Sequence, residues 1–76
     1  METFGERLHT ARRRKVWRQE DLSAASGVAV VTISRIESGH GNAPRSSTVR
    51  KLADALDVDA AWLLFGASEW EGKEAA

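Results

Sequence analysis

The segment from Arg18 to Gly39 carries the side chains that are best suited to contact a partner. Stepping roughly 100° per residue from Val30, as in an α-helix, places Ile33, Ile36 and the preceding Ala29 on one narrow arc that faces a core. The opposite side then presents five side chains that are free to meet a partner, namely Val30, Val31, Ser34, Arg35 and Ser38.

Arg35 is the long hydrogen-bond donor on this exposed side. Its guanidinium can donate in a fork to O6 and N7 of guanine, which is worth ~1–3 kcal/mol of discrimination between bases. Val30 and Val31 cannot hydrogen-bond to bases, but they can contact thymine methyl groups. A solvated surface arginine is the alternative for Arg35, and the helix-turn-helix context favours the base contact. For the two valines, contact with a protein or simple exposure is an equally good explanation.

Two short helices joined by a tight turn would position this face. The sequence predicts one helix over about 19–26, with Leu22 facing inward, and a second over about 30–37. Gly27 can adopt the positive φ of the turn without steric cost, and Gly39 closes the second helix. A helix held in this way by a scaffold fits the major groove of B-DNA.

Three further helices complete the prediction. Phe4, Leu8 and Ala11 recur at helical spacing and predict a helix over about 4–14. The same spacing predicts a helix over about 47–56, and Asp59 is a good N-cap for a short helix over about 60–65. Arg12 falls on the apolar stripe of the first helix, so it should be partly buried and needs an acidic partner. We therefore expect an all-α, five-helix domain over residues 1–66 and a short acidic tail over 67–76.

The charges of this 76-residue chain sum to zero but are unevenly distributed. From Arg7 to Lys51 there are ten basic and three acidic residues, whereas from Leu52 onward Lys73 stands against six acidic residues. A basic body is typical of a protein that meets nucleic acid, and an acidic end should point away from the duplex.

Other classes of function have little support in the composition. The chain has no cysteine, which excludes disulfides and thiolate metal sites and fits a reducing cytoplasm. His9 and His40 lack metal-ligand spacing and are expected to be surface imidazoles. No nucleophile motif or phosphate-cradling glycine motif is present, and no apolar run approaches the ~20 residues of a membrane-spanning helix. We expect no enzyme activity, no cofactor, no metal and no membrane partner.

The ordered set of short motifs resembles the phage lambda repressor and Cro-type helix-turn-helix family (the XRE-like family). The resemblance covers about Phe4 to Gly66, which is most of the chain. No single motif is diagnostic, but their joint spacing is specific. The motifs are Gln19-Glu20-Asp21-Leu22, Gly27-Val28, Thr32-Ile33-Ser34-Arg35-Ile36-Glu37-Ser38-Gly39, Pro44, Leu52-Ala53-Asp54-Ala55-Leu56 and Trp62-Leu63-Leu64.

The resemblance implies roles for particular residues. Gln19 would contact a phosphate and buttress the recognition helix, and Arg45 would enter a minor groove as in some members. Arg12 and Glu37 would form a buried, structural ion pair. Position 16 usually carries a glycine in a left-handed conformation, so Val16 suggests a turn that is built differently. The full set expected to bind DNA is Arg18, Gln19, Val30, Val31, Thr32, Ser34, Arg35, Ser38, Asn42 and Arg45.

The resemblance also implies a two-fold dimer that binds a palindromic operator in double-stranded DNA. Trp62, Phe65 and Trp70 are the candidate residues of the homodimer interface, and Trp62 has a core position as its alternative. The expected function is a sequence-specific transcriptional regulator, a repressor or autoregulator, in the cytoplasm and associated with the nucleoid. The alternative is an antitoxin-type module that binds a second protein through its C-terminal part and also binds DNA.

Overall fold

The structure is a computed structural model that describes residues 3–40 and 44–66, and all of its regular elements in these ranges are helices. This confirms the all-α, five-helix prediction, and the predicted bounds are reproduced to within one residue. The helices are α1 Phe4–Arg14, α2 Gln19–Ser26, α3 Val30–Glu37, α4 Ser46–Leu56 and α5 Ala60–Phe65.

Each helix is preceded by an N-cap residue with extended backbone, and in several helices a side chain also accepts a hydrogen bond from a backbone amide of the first turn. The Thr3 hydroxyl accepts from the Glu6 amide at 3.1 Å, and the Glu6 carboxylate accepts from the Thr3 amide at 2.9 Å. Asp59 caps α5 as predicted, because its carboxylate accepts from the Trp62 amide at 3.0 Å. At α2 the missing cap is replaced from inside the helix, where the Asp21 carboxylate accepts from the Arg18 amide at 2.8 Å.

One aliphatic side chain from each helix meets at the centre of the molecule. These five side chains are fully enclosed, at 0% exposure, and removing them from water supplies the main drive for folding. They are Leu8, Leu22, Ile33, Leu52 and Leu63.

The helices form two neighbourhoods that share α1 and are also joined by the packing of α2 against α4. The recognition-type helix α3 packs mainly against α1 and α2, whereas α5 packs mainly against α1 and α4. The helices α3 and α5 therefore present their free faces at different parts of the molecule, which measures 36 × 23 × 21 Å.

Two buried residues of α1 hold these neighbourhoods together, and the sequence alone does not single them out. Gly5 is buried at the crossing of α1 with α3, where a β-carbon would collide with the Ile36 carbonyl. Arg7 is only 6% exposed, and its guanidinium donates to the carbonyls of Leu63 at 2.9 Å and Leu64 at 2.8 Å. These carbonyls belong to the last turn of α5, so a cation stabilises the negative end of that helix.

No helix in the described ranges has the length and apolar character needed to cross a bilayer.

Candidate nucleic-acid interface

The turn between α2 and α3 sets the angle at which α3 leaves the core. Gly27 adopts a left-handed conformation with φ 79°, as predicted, and Val28 is buried directly after it. The Ser26 hydroxyl accepts from the Val28 amide at 3.1 Å and completes the turn. Ile33, one turn into α3, is fully enclosed and fixes the rotation of the helix about its axis.

The side of α3 away from the core is exposed. Val31 is 58% exposed and Val30 is 39% exposed, although contact of these apolar side chains with water is unfavourable. Ser34 and Arg35 are exposed beside them. The predicted outward face of α3 is therefore a surface that the rest of the described chain leaves uncovered.

Ala29 was predicted to face the core and is instead exposed. Its ψ of 143° is extended, so this residue precedes the helix and the 100° step does not apply to it. Thr32 is half-buried, which leaves it at the edge of the exposed face.

Ser38 lies at the end of the same face, but its hydroxyl is engaged within the chain. It donates toward the Ser34 carbonyl at 2.9 Å or the Arg35 carbonyl at 3.3 Å, and it lies 3.1 Å from Nδ1 of His40. A hydroxyl has one proton to donate. Ser38 is therefore a residue at the C-terminal end of α3 whose hydroxyl proton is engaged within the chain.

Two of the expected phosphate-binding residues lie together at the start of α2. The Arg18 side chain is 77% exposed and its Nε lies 3.6 Å from the Asp21 carboxylate, so the charge is within reach of a ligand. Gln19 is half-buried, and its Nε2 donates to Oε1 of Glu37 at 3.2 Å. This hydrogen bond connects the first residue of α2 to the last residue of α3.

The remaining expected contacts lie beyond α3. Arg45 is exposed at the N-cap of α4, directly after Pro44. Asn42 lies outside the described residues. The structure thus joins Gln19 to the end of α3 through Glu37 and places Arg45 at the start of a separate helix.

The ion pair between Arg12 and Glu37 is present beneath this surface. Nε of Arg12 donates to Oε2 of Glu37 at 2.7 Å, and Nη2 donates to Oε1 at 2.9 Å. Only 11% of the arginine side chain and 7% of the glutamate side chain are exposed. Nη1 of Arg12 also donates to the Trp17 carbonyl at 2.7 Å, so the same guanidinium ties down the segment between α1 and α2.

The pKa of Glu37 is lowered by its surroundings. Burial disfavours the charged carboxylate, but hydrogen bonds from Arg12, His9 and Gln19, together with the charge of Arg12, outweigh that effect. The pKa of Arg12 is raised, chiefly by its hydrogen bond to Glu37. Both groups are therefore held in their charged forms.

His9 is a member of this cluster that sequence reasoning missed. Its Nδ1 lies 3.2 Å from Oε1 of Glu37 and 3.1 Å from Nη2 of Arg12, and its side chain is 46% exposed. His9 is therefore a half-exposed imidazole that also contacts the buried ion pair. Its position one turn before Arg12 on the same helix was the available signal.

Val16 adopts the left-handed conformation that a glycine usually provides at this turn. Its φ is 58° and its side chain is 91% exposed, so the side chain makes few contacts that would offset the strain of a β-branched residue in this region. The expectation of a differently built turn is wrong. The neighbouring Lys15 places its ammonium 5.3 Å from the centre of the Trp17 ring.

The candidate dimer residues have different environments. Phe65 is 66% exposed at the end of α5, whereas Trp62 is partly buried and packs against the core. Trp70 lies outside the described residues. A shallow groove of about 190 Å³ between α4 and α5 is bordered by Val49, Leu64 and Phe65.

Within residues 3–40 and 44–66, no three His, Asp or Glu side chains are grouped so that they could hold a metal ion.

The exposed helix on a two-helix support defines a helix-turn-helix protein of the lambda repressor and Cro type, which confirms the resemblance. The chain belongs to the helix-turn-helix family, whose model matches residues 8–63.

Relatives of this class include two proteins of Bacillus subtilis (strain 168). The chain is 39% identical over 67 residues to the HTH-type transcriptional repressor RghR, covering 88% of this chain and 50% of that protein. It is 38% identical over 58 residues to the uncharacterized HTH-type transcriptional regulator RghRB, covering 76% of this chain and 42% of that protein. The chain therefore spans half or less of the length of these two relatives.

Solved structures share the fold. The P22 c2 repressor in complex with a synthetic operator superposes with a TM-score of 0.80 and 30% identity, over 88% of this chain and all of that one. A complex of the SinR and SinI proteins superposes with a TM-score of 0.79 and 28% identity, over 96% of this chain and 76% of that one. Repressors and regulators among these matches support a regulator rather than an enzyme.

Proposed function

We propose that this chain binds double-stranded DNA sequence-specifically and acts as a transcriptional repressor or autoregulator. The observation that carries the proposal is the uncovered side of α3, with Val30, Val31, Ser34 and Arg35 exposed on a helix that Ile33 locks from behind. An α-helix with one whole side exposed in this way fits the major groove of DNA. The similarity to the P22 c2 repressor, which was solved with a synthetic operator, supports DNA as the partner.

Base contacts would come from few side chains. Arg35 is the long donor on this face and would take one guanine per half-site, while the two valines would contact thymine methyl groups. Val31 precedes Arg35 by one helical turn, so the two contacts would fall on neighbouring base pairs. Phosphate contacts from Arg18, Gln19 and Asn42 would set the position of α3, and Arg45 would reach an adjacent minor groove.

A two-fold dimer would join two such domains through the surface around Phe65. The exposed phenylalanine and the adjoining groove between α4 and α5 are apolar, and α5 has no extensive packing with α3. Contact through α5 would thus leave both recognition helices free. Their target would be a palindrome with half-sites about 34–36 Å apart.

A second protein could occupy the same apolar surface, with Trp62 and Trp70 as further contacts. The similarity to SinR, which was solved together with SinI, supports a protein partner as the second candidate. An antitoxin is one form that such a protein-bound regulator would take. In either form, the protein would act in the cytoplasm on DNA of the nucleoid.

Selection from random duplex DNA by the purified protein tests the proposal. We expect an enriched palindrome whose binding weakens steeply as salt rises, because phosphate contacts release counterions. Equal binding to all duplexes, or none at low salt, would refute it. Sedimentation of wild type and Phe65→Asp tests the dimer surface: we expect the variant to be monomeric, with Val31→Asp as a control that leaves association unchanged.

A further inference from the structure

One oxygen of Glu37 is approached by three nitrogen donors from two helices. Oε1 lies 2.9 Å from Nη2 of Arg12, 3.2 Å from Nε2 of Gln19 and 3.2 Å from Nδ1 of His9. A carboxylate oxygen offers about two lone-pair positions. Arg12 and Gln19 fill both, so a third donor at this oxygen competes with one of them.

His9 is a donor at this oxygen only when its Nδ1 carries a proton. The same Nδ1 lies 3.1 Å from Nη2 of Arg12, which has protons to donate and no lone pair to accept with. A neutral ring protonated on Nε2 therefore accepts from Arg12. A positively charged ring has a proton on both nitrogens and donates to Glu37 instead.

The charges around His9 come from α1 and α3. On α1, the Arg12 guanidinium opposes a positive imidazole, whereas Glu6, which borders the same cleft one turn earlier, favours it. On α3, the Glu37 carboxylate favours it at direct contact distance. The residue that α2 contributes to this cluster is the uncharged Gln19. The imidazole is half-exposed at an open cleft, so protons reach it without any movement of the fold.

We propose that protonation of His9 displaces the Gln19 amide from Glu37 and thereby releases it for a DNA phosphate, so that DNA binding tightens as the pH falls. Gln19 is displaced rather than Arg12 because a neutral amide at 3.2 Å is the weaker partner of the carboxylate. The amide then turns outward from the first residue of α2, beside the exposed Arg18. The DNA half of this inference rests on the proposed function, in which Gln19 contacts a phosphate. The displacement itself is a property of the free protein.

The free protein tests the displacement without DNA. In NMR spectra recorded from about pH 7.5 to about pH 5.5, where imidazoles gain a proton, we expect the Gln19 side-chain amide signals to shift together with those of the His9 ring. His9→Gln should abolish the shift, and His40→Gln, which changes the other histidine, should retain it. Amide signals of Gln19 that stay constant, or that shift equally in His9→Gln, would overturn the inference.

Binding of the selected palindrome across the same pH range tests the consequence. We expect Kd to fall about two- to tenfold, the net contribution of one typical hydrogen bond. The gain should be lost in both His9→Gln and Gln19→Ala and kept in His40→Gln. A gain that survives Gln19→Ala would reflect added positive charge alone and would overturn the released-amide mechanism. If no duplex binds at any pH, the proposed function fails, and the NMR titration still decides whether His9 controls Gln19.

Discussion

Arg12 and Glu37 meet through two parallel hydrogen bonds, 2.7 Å and 2.9 Å long, that join the last turn of α1 to the last residue of α3. Both side chains are almost fully buried. The recognition-type helix is therefore held at both ends, by Ile33 in the core near its start and by an ion pair at its finish. Because both charges are buried, the removal of either partner would leave the other charge without compensation.

Removal of the arginine should destabilise the fold strongly. Arg12→Met leaves Glu37 buried without its main partner, and we expect a loss of about 3–5 kcal/mol in the free energy of unfolding measured by urea denaturation. Arg13→Met, on the exposed side of the same turn, should change stability by less than about 0.5 kcal/mol. Similar losses in the two variants would show that the pair is not a structural element.

The stability should depend on acid through Glu37. The pKa of this carboxyl is lowered in the folded state, so the charged form contributes stability above the unfolded value of about 4.3. That contribution is lost as the pH falls through the lowered folded value. Thermal melts from about pH 7 to about pH 2 should show Tm decreasing below about pH 4.5, and Glu37→Gln should lower Tm at neutral pH and flatten the decrease. An identical pH profile for the variant would contradict the assignment.

Gly5 should tolerate no side chain. A β-carbon at this position collides with the Ile36 carbonyl, which is backbone and cannot rotate away. We expect Gly5→Ala to cost about 1–3 kcal/mol in urea denaturation through forced separation of α1 and α3. Gly39→Ala is the matched control, because its β-carbon meets open space and only the positive φ of 79° is strained. It should cost about 1 kcal/mol. A larger loss at Gly39 than at Gly5 would argue against the close crossing.

Replacement of Val16 by glycine should raise the stability of the fold. Because it is 91% exposed, Val16→Gly removes little buried surface while relieving a left-handed φ of 58°. We expect a gain of about 1 kcal/mol in the free energy of unfolding. Val31→Gly, an exposed position with ordinary helical φ, should instead lose about 0.3–0.5 kcal/mol, because glycine is the poorer helix former. Destabilisation by both substitutions would mean that the Val16 side chain makes a contact that stabilises the fold.

Loss of a base contact and loss of a phosphate contact should have different effects on DNA binding. Arg35→Ala should relax specificity at one base pair per half-site, with a loss of about 1–3 kcal/mol on the preferred sequence. Gln19→Ala should weaken binding to all duplexes by similar factors. Competition titrations with single-base operator variants measure both. Uniform weakening by Arg35→Ala, or a loss confined to one sequence for Gln19→Ala, would reverse the assigned roles.

The helices were predictable because their signals are local. Apolar residues at helical spacing, the glycines at positions 27 and 39 and the Asp59 cap all act within a few residues of where they stand. The exposed face of α3 followed from the same spacing, and it failed only at Ala29, which the helical step does not include. The exposed face of α3 was therefore almost completely predictable from the sequence.

The contacts that hold the exposed face of α3 in place were harder to predict from the sequence, because they join residues that are far apart in the chain. Gly5 meets Ile36, Arg7 meets the end of α5, and His9 meets Glu37. No short pattern encodes such pairs. The Arg12 and Glu37 pair was foreseeable only because an arginine on an apolar stripe must find an acid and the family resemblance named it.

The exposed side of α3 has a consequence for how such a protein changes over generations. Val31, Ser34 and Arg35 project outward from the described chain, so exchanging them removes few contacts on which the core depends. Under the proposed function, replacements there would alter the preferred DNA sequence and leave the architecture intact. The proposed function would thus let this scaffold acquire new DNA targets through single amino-acid replacements.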